Sequence, residues 1–247
     1  MIHLNKIKYS YNKESLIFNE MSFSISKGEI ISIIGRSGLG KTTLLNLISG
    51  LLKPEKGKIV LNNKKIDSPS LEIVYLKQNP TFLPFRNALE NALLNIELRT
   101  KITQSKIAEV TILFEKYGLT DSLGKYPKEL SEGMKQRIAI IQTLLVESEI
   151  YLFDEPFSAI DLFHSRIIEN DIWDTIKDGE KTSLIVTHDI EQAVAISDKI
   201  LLLSSNNHEV KIIDFKDDFK ELSPNKRRNH PNFSKELYRV IKLFSEN

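Results

Sequence analysis

Apolar and polar residues alternate over residues 2–7 and 21–25, the pattern of antiparallel strands with one face on a core. Residues 26–29, Ser-Lys-Gly-Glu, read as the turn that follows the second of them. Residues 30–34, Ile-Ile-Ser-Ile-Ile, are almost wholly apolar, which suits a strand covered on both faces in the middle of a sheet. Leu44, Leu45, Leu47, Ile48 and Leu51 then recur at helical spacing, and Gly50 marks the helix end. From residue 79 to about 146 the period changes, and 87–98, 105–117 and 133–146 predict helices with little strand pattern between them. Strand patterns return at 150–153, 182–187 and 200–203, with a helical stretch at 162–176. That order predicts an α/β core interrupted by a helical insertion. Beyond residue 206 the chain is strongly charged, and 234–244 carry an amphipathic helical pattern.

A chain of 247 residues, 41% hydrophobic and 27% charged, is long enough to bury a substantial core as one large domain or two small ones. Its net charge of +1 gives no support to extensive nucleic-acid binding. With no cysteine there is no disulfide framework, thiolate metal site or thiol nucleophile. The five histidines are scattered, and none pairs at helical ligand spacing. The N-terminal residues are polar where a signal peptide needs an apolar stretch, and no run approaches the ~18 apolar residues of a membrane span. The expectation is a cytoplasmic protein that reaches a membrane only by docking on another protein.

Chemistry enters between the buried strand and its helix. Gly35-Arg36-Ser37-Gly38-Leu39-Gly40-Lys41-Thr42 fits G-x-x-x-x-G-K-[ST]. Glycines at 35, 38 and 40 let the backbone curl so that successive N–H groups point at one anion, and the helix N-terminus adds its dipole. The segment from Gly35 to Thr43 is therefore the expected phosphate cradle, with Lys41 on the β- and γ-phosphates and the Thr42 hydroxyl on Mg²⁺. A second element, Ile150-Tyr151-Leu152-Phe153-Asp154-Glu155, would deliver two carboxylates at the C-terminal end of a core strand, where α/β sheets bind ligands. There Asp154 would order the Mg²⁺ water shell, and Glu155 would polarise the attacking water.

The stretch Leu130-Ser131-Glu132-Gly133-Met134-Lys135-Gln136-Arg137, ending 17 residues before Asp154, resembles the Leu-Ser-Gly-Gly-x-x-x-Arg signature of the ABC (ATP-binding cassette) ATPases. The resemblance covers nearly the whole chain. Gln78 looks like that family's Q-loop glutamine, Ser158-Ala159-Ile160-Asp161 like its D-loop, His188 like its switch histidine on the γ-phosphate, and Tyr11 like its adenine-stacking aromatic. Tyr9, two residues away, is the alternative for that last role. The resemblance implies a P-loop NTPase (RecA-like) core with an antiparallel β subdomain and an inserted helical subdomain. On that division 1–247 is one ABC ATPase domain: 1–78 and 147–205 the core, 79–146 the helical signature subdomain, 206–247 a C-terminal tail.

It also implies ATP and Mg²⁺ as ligands, with Thr42, Gln78 and Asp154 at the metal. It implies a homodimer in which Ser131 and the Gly133 N–H of one subunit act on the nucleotide of the other. Glu132 departs from the family's glycine and would repel a triphosphate unless it points to solvent. One cassette with no membrane span resembles the motor of a bacterial or archaeal importer, held on the cytoplasmic face of the membrane by separate permease subunits and served indirectly by an extracytoplasmic substrate-binding protein. No nucleic-acid partner is expected. Residues 78–91 resemble the corresponding stretch of nitrate, sulfonate and taurine importer ATPases, and thiamine-precursor importers share its features. Phe82, Leu83, Pro84 and Phe85 within 81–90 are the expected permease-docking cluster. The alternative function is an ATP clamp with slow turnover, motivated by Glu132. Lys226-Arg227-Arg228 reads as a solvated face of the tail, and Trp173 as packing.

Overall fold

The computed structural model describes residues 1–12, 16–204 and 210–246. Two sheets organise it. The first is antiparallel, in the order β2-β1-β4-β5, from β1 (Ile2–Ser10), β2 (Leu16–Ile25), β4 (Lys56–Leu61) and β5 (Lys64–Lys65). The second runs β10-β9-β3-β8-β7-β6, from β3 (Ile30–Ile34), β6 (Ile73–Leu76), β7 (Ile150–Asp154), β8 (Thr182–Val186), β9 (Lys199–Leu203) and β10 (Val210–Asp214). Its strands are parallel except that β10 pairs antiparallel with β9.

Both predicted N-terminal strands extend further than their alternation shows, because each breaks phase at a bulge. Lys6 in β1 and Glu20 in β2 take positive φ, at 48° and 57°, so the side chains beyond them change face.

The continuous apolar strands of the second sheet serve two layers. Ile31 and Ile33, Leu152, Leu184, Leu201 and Leu203 point toward helix α1 (Lys41–Ile48) and the antiparallel sheet. Tyr151, Phe153 and Ile185 point the other way, into a core shared with α2 (Ala88–Glu97), α3 (Gln104–Lys116), α4 (Glu132–Leu144) and α5 (Leu162–Asp178). The predicted insertion is thus three helices, α2 to α4, packed on one face of the sheet. Each helix of that group has a side-chain cap: Asn87 with a Glu90 capping box, Thr103 and Ser131.

The segment expected as a charged tail is folded onto the core. After β10 come α7 (Asp217–Lys220), α8 (Pro224–Arg228) and α9 (Phe233–Ser245), and with α6 (Ile190–Ile196) they build a third apolar cluster from Ile34, Val194, Leu202, Phe219, Phe233 and Val240. The expectation that Lys226-Arg227-Arg228 forms a solvated face is overturned for two of the three. Arg227 is fully buried, donating from Nε to Leu222 O at 2.8 Å and from its Nη atoms to Ser197 O and Lys220 O. Arg228 pairs with the buried Glu169 at 2.6 Å. Backbone carbonyls and carboxylates distant in sequence absorb charges that the local pattern assigns to water.

Candidate functional site

Strand register sets the frame of the site. Val186 at the end of β8 lies opposite Asp154 of β7 on one side and Ile33 of β3 on the other, so three strand ends share one edge. From β3 the chain turns through Gly35–Gly40 into α1. Gly38 and Gly40 take φ of 83° and 87°, and a Cβ on Gly40 would stand 2.4 Å from Ile17 Cγ2. A side chain at Gly40 would be both strained and crowded. Lys41 curls back over it, Nζ donating to Gly35 O at 2.8 Å and to Arg36 O at 3.0 Å. Partial burial lowers the Lys41 ammonium below its ordinary value, and Glu155 and Asp154 oppose that shift.

A cavity of about 340 Å³ opens beside this turn, lined by Ser37, Gly38, Gly40, Lys41, Thr42 and Thr43, by Gln78 beyond β6, and by Asp154 and Glu155 at the end of β7. Tyr11 also lines it, 60% exposed, with its hydroxyl 3.0 Å from Thr43 Oγ1. Tyr9 meets the Tyr11 ring edge-on at 5.2 Å but is buried in the sheet, so of the two aromatics Tyr11 faces the cavity.

Asp154 is buried, which pushes its carboxyl upward; the Thr42 and Tyr75 hydroxyls and the Lys41 charge act against the shift. Its Oδ1 is buried without a hydrogen-bond partner among the described residues. An orphaned carboxylate oxygen, a neighbouring hydroxyl and the Gln78 amide form a hard oxygen set suited to Mg²⁺, which takes few protein ligands where substrate phosphates and water supply the rest. Among the described residues no three acidic or histidine side chains cluster as a self-sufficient metal site.

Glu155 holds a left-handed backbone at φ 51°, which for a non-glycine residue costs energy and is maintained by its surroundings. Its Oε2 lies 2.7 Å from His188 Nδ1, and the His188 side chain is 72% exposed. His188 thus reaches the cavity by way of Glu155 and does not line it. Gly35, Arg36 and Leu39 are also outside the lining. The first two hold Lys41 by their carbonyls, and Leu39 packs on the core.

Ser131 and Gly133 stand apart from this cavity. Ser131 caps α4, accepting from Met134 N at 3.3 Å. Gly133 packs so tightly that a Cβ would lie 2.5 Å from Ala159 O. The Glu132 side chain is 79% exposed and pairs with Lys135 at 2.8 Å, so it points to solvent. Tyr75, whose hydroxyl donates to Asp154 Oδ2 at 3.4 Å, and Ile17 on the cavity wall are absent from the sequence-derived set. Tyr75 sits in an otherwise apolar strand, and that lone hydroxyl is the signal that could have found it.

Residues 18–158 match the ABC transporter family model. An ABC transporter ATP-binding protein of Bacillus subtilis is 37% identical over 82% of this chain and 78% of its own length. A nitrate import ATP-binding protein of Synechococcus elongatus is 34% identical over 75% of this chain and 69% of its own. For an aliphatic sulfonates import ATP-binding protein of Bacillus thuringiensis the figures are 31%, 85% and 83%. Among solved structures, a dimeric ATP-binding cassette in a post-hydrolysis state bound to ADP and Pi superposes with a TM-score of 0.77 at 27% identity, over 87% of this chain and 99% of that one. The chain belongs to the ABC transporter ATP-binding family, and its activity is ATP hydrolysis in transport.

Proposed function

We propose that the cavity binds ATP with Mg²⁺ and that the chain, as a homodimer on the cytoplasmic face of the membrane, powers uptake of a small solute through separate permease subunits. The observation that carries this is the convergence of Lys41, Thr42, Gln78, Asp154 and Glu155 on one cavity with Tyr11 on its wall. The glycine turn from Gly35 to Thr43 and the N-terminus of α1 cradle the phosphates, and the adenine stacks on Tyr11. Lys41 exchanges its two carbonyl contacts for phosphate oxygens. Thr42 and Gln78 would hold Mg²⁺ and Asp154 would order its water shell; the ion supplies charge neutralisation at the transferred phosphoryl group. Glu155 orients the attacking water, and His188 contacts the γ-phosphate.

Ser131 and Gly133 lie outside this cavity, which supports a role for them at the nucleotide of a second subunit. The permease docks on residues 81–90. Asn91, fully buried, accepts from Leu83 N at 2.8 Å and donates to Arg86 O at 2.9 Å, a brace that presents Phe85 outward at 71% exposure. Phe82 packs partly on the helical core and offers only its remaining surface to that contact. Relatives named for nitrate, bicarbonate and aliphatic sulfonate import favour a small solute of that kind, and residues 78–91 resemble taurine and pyrimidine-precursor importers as well. An extracytoplasmic binding protein would deliver it to the permease. The motive for a slow ATP clamp weakens, because Lys135 pairs with Glu132 at 2.8 Å and offsets its charge.

The test is the chain reconstituted with its permease in vesicles. Mg²⁺-dependent ATP turnover that rises with transported solute and drives its accumulation is expected. Turnover unaffected by permease and solute refutes the proposal.

A further inference from the structure

His188 stands largely in solvent. Its side chain is 72% exposed and touches Glu155, so its position depends on the backbone beneath it. That backbone is the start of α6, which begins two residues on, with Asp189 as N-cap accepting from Gln192 N at 3.1 Å.

The first turn of α6 is gripped from both sides. On the inner side, Gln192 Nε2 donates to Ser165 Oγ of α5 at 3.5 Å, and its Oε1 accepts from Thr187 Oγ1 at 3.3 Å. Thr187 Oγ1 in turn accepts from Asp189 N at 3.1 Å, so the hydrogen bonds straddle His188. On the outer side, Glu191 Oε1 accepts from Arg166 Nη2 of α5 at 2.7 Å and from Arg228 Nε of α8 at 3.3 Å. Beneath both sits Glu169 of α5, fully buried. Its Oε1 accepts from Ser165 Oγ at 3.3 Å, and its Oε2 lies 2.6 Å from Arg228 Nη2.

A buried carboxylate is a poor way to stabilise a helix junction. Burial pushes the Glu169 carboxyl up to about 8 even with Arg166 pulling it down. Apolar residues of similar volume commonly pack such a position as well or better. What the polar arrangement adds is direction: Arg228 lies against Glu169 and Glu191, and so ties α8 to α5 and α6 at one point.

We propose that Arg228 and Glu169 are positioning residues for ATP hydrolysis, clamping the first turn of α6 so that His188 stays against Glu155. This rests on the role given to His188 above. The C-terminal segment thereby takes part in turnover without touching nucleotide.

The experiment uses the full chain. Arg228→Ala, Arg228→Lys and Glu169→Ala are made alone and in a His188→Ala background. ATP affinity, KM and kcat are measured well below each variant's Tm. Misplacing a reacting group by about an ångström costs up to ~10²-fold, so Arg228→Ala should lower kcat roughly ten- to a hundredfold, with ATP affinity and KM within about twofold. Arg228→Lys, which keeps the charge, should recover part of the loss. In the His188→Ala background Arg228→Ala should cost less than about twofold more, because the group it positions is gone. Glu169→Ala, which removes the carboxyl whatever its protonation, carries the same comparison if Arg228→Ala does not fold. Wild-type kcat in the folded variants, or the full loss repeated in the His188→Ala background, overturns the proposal. Wild-type kcat in His188→Ala alone overturns the role of His188 and the proposal with it, so the two failures are distinguishable.

Discussion

Replacing Arg227 by Met keeps most of the side-chain volume and removes every polar contact, so the loss isolates the polar part of the anchor. Three backbone carbonyls, of Ser197, Lys220 and Leu222, lose their guanidinium donors inside the protein. A buried acceptor left unsatisfied costs about 1–3 kcal/mol, or about 3–9 kcal/mol for three. Against this stands the desolvation of the guanidinium, which pulls Arg227 down to about 10 even with Asp198 opposing it. Removing it returns about 3 kcal/mol. Asp198 keeps Lys177 Nζ at 2.6 Å and Ile30 N at 2.7 Å on Oδ2, while its buried Oδ1 loses the guanidinium 3.5 Å away. The balance centres on a loss of about 3 kcal/mol, which for a chain of this size lowers Tm by roughly 6–12 °C. Thermal unfolding of the nucleotide-free protein reads the shift, and limited proteolysis reads where it falls, with first cuts expected within residues 210–246. A Tm within about 2 °C of wild type would mean that water reaches those carbonyls, and the account of the anchor would be wrong.

Glu155→Gln should leave ATP binding near normal and reduce single-turnover hydrolysis by ~10²–10⁴-fold, the usual loss of a general base; near-normal hydrolysis would remove that role. Asp154→Asn should raise the Mg²⁺ concentration for half-maximal turnover by roughly 10–100-fold, as loss of an outer-shell partner does, and an unchanged Mg²⁺ titration would place the metal elsewhere. Phe85→Asp should abolish co-purification with the permease while the isolated subunit stays folded and binds ATP, since the side chain is 71% exposed; permease recovered at wild-type yield would put the docking surface elsewhere.

The α/β core was legible because burial on both faces leaves an apolar run that nothing else explains, as at Ile30–Ile34 and Ile150–Asp154. The helices of the insertion were legible within a few residues, since their predicted spans correspond to α2, α3 and α4. Less visible was β4, whose first three residues, Lys56, Gly57 and Lys58, are exposed and carry no alternation. Helix α6 spans seven residues, too short for a stripe to declare its period. Of the site, the residues inside a motif were readable, with Tyr11, Gln78 and His188 found only through the family resemblance, and a partner outside every motif was not. Tyr75 meets Asp154 from the neighbouring strand, a contact that no local spacing encodes. Arg227 misled for the same reason: its carboxylate partner Asp198 lies in a different part of the chain.

The third apolar cluster has a consequence for synthesis. Residues 210–246 leave the ribosome after every residue of the nucleotide cavity, because Tyr11 through Val186 precede them. A nascent or prematurely terminated chain can therefore hold the whole ATP pocket while Val194, Leu202 and their neighbours still lack Phe219, Phe233 and Val240 as cover. Such a chain exposes an apolar face of the kind that draws chaperones or aggregates. Its α6 also waits for Arg228, so a truncated subunit would combine nucleotide affinity with a loosely held histidine and sequester ATP in an idle, sticky form.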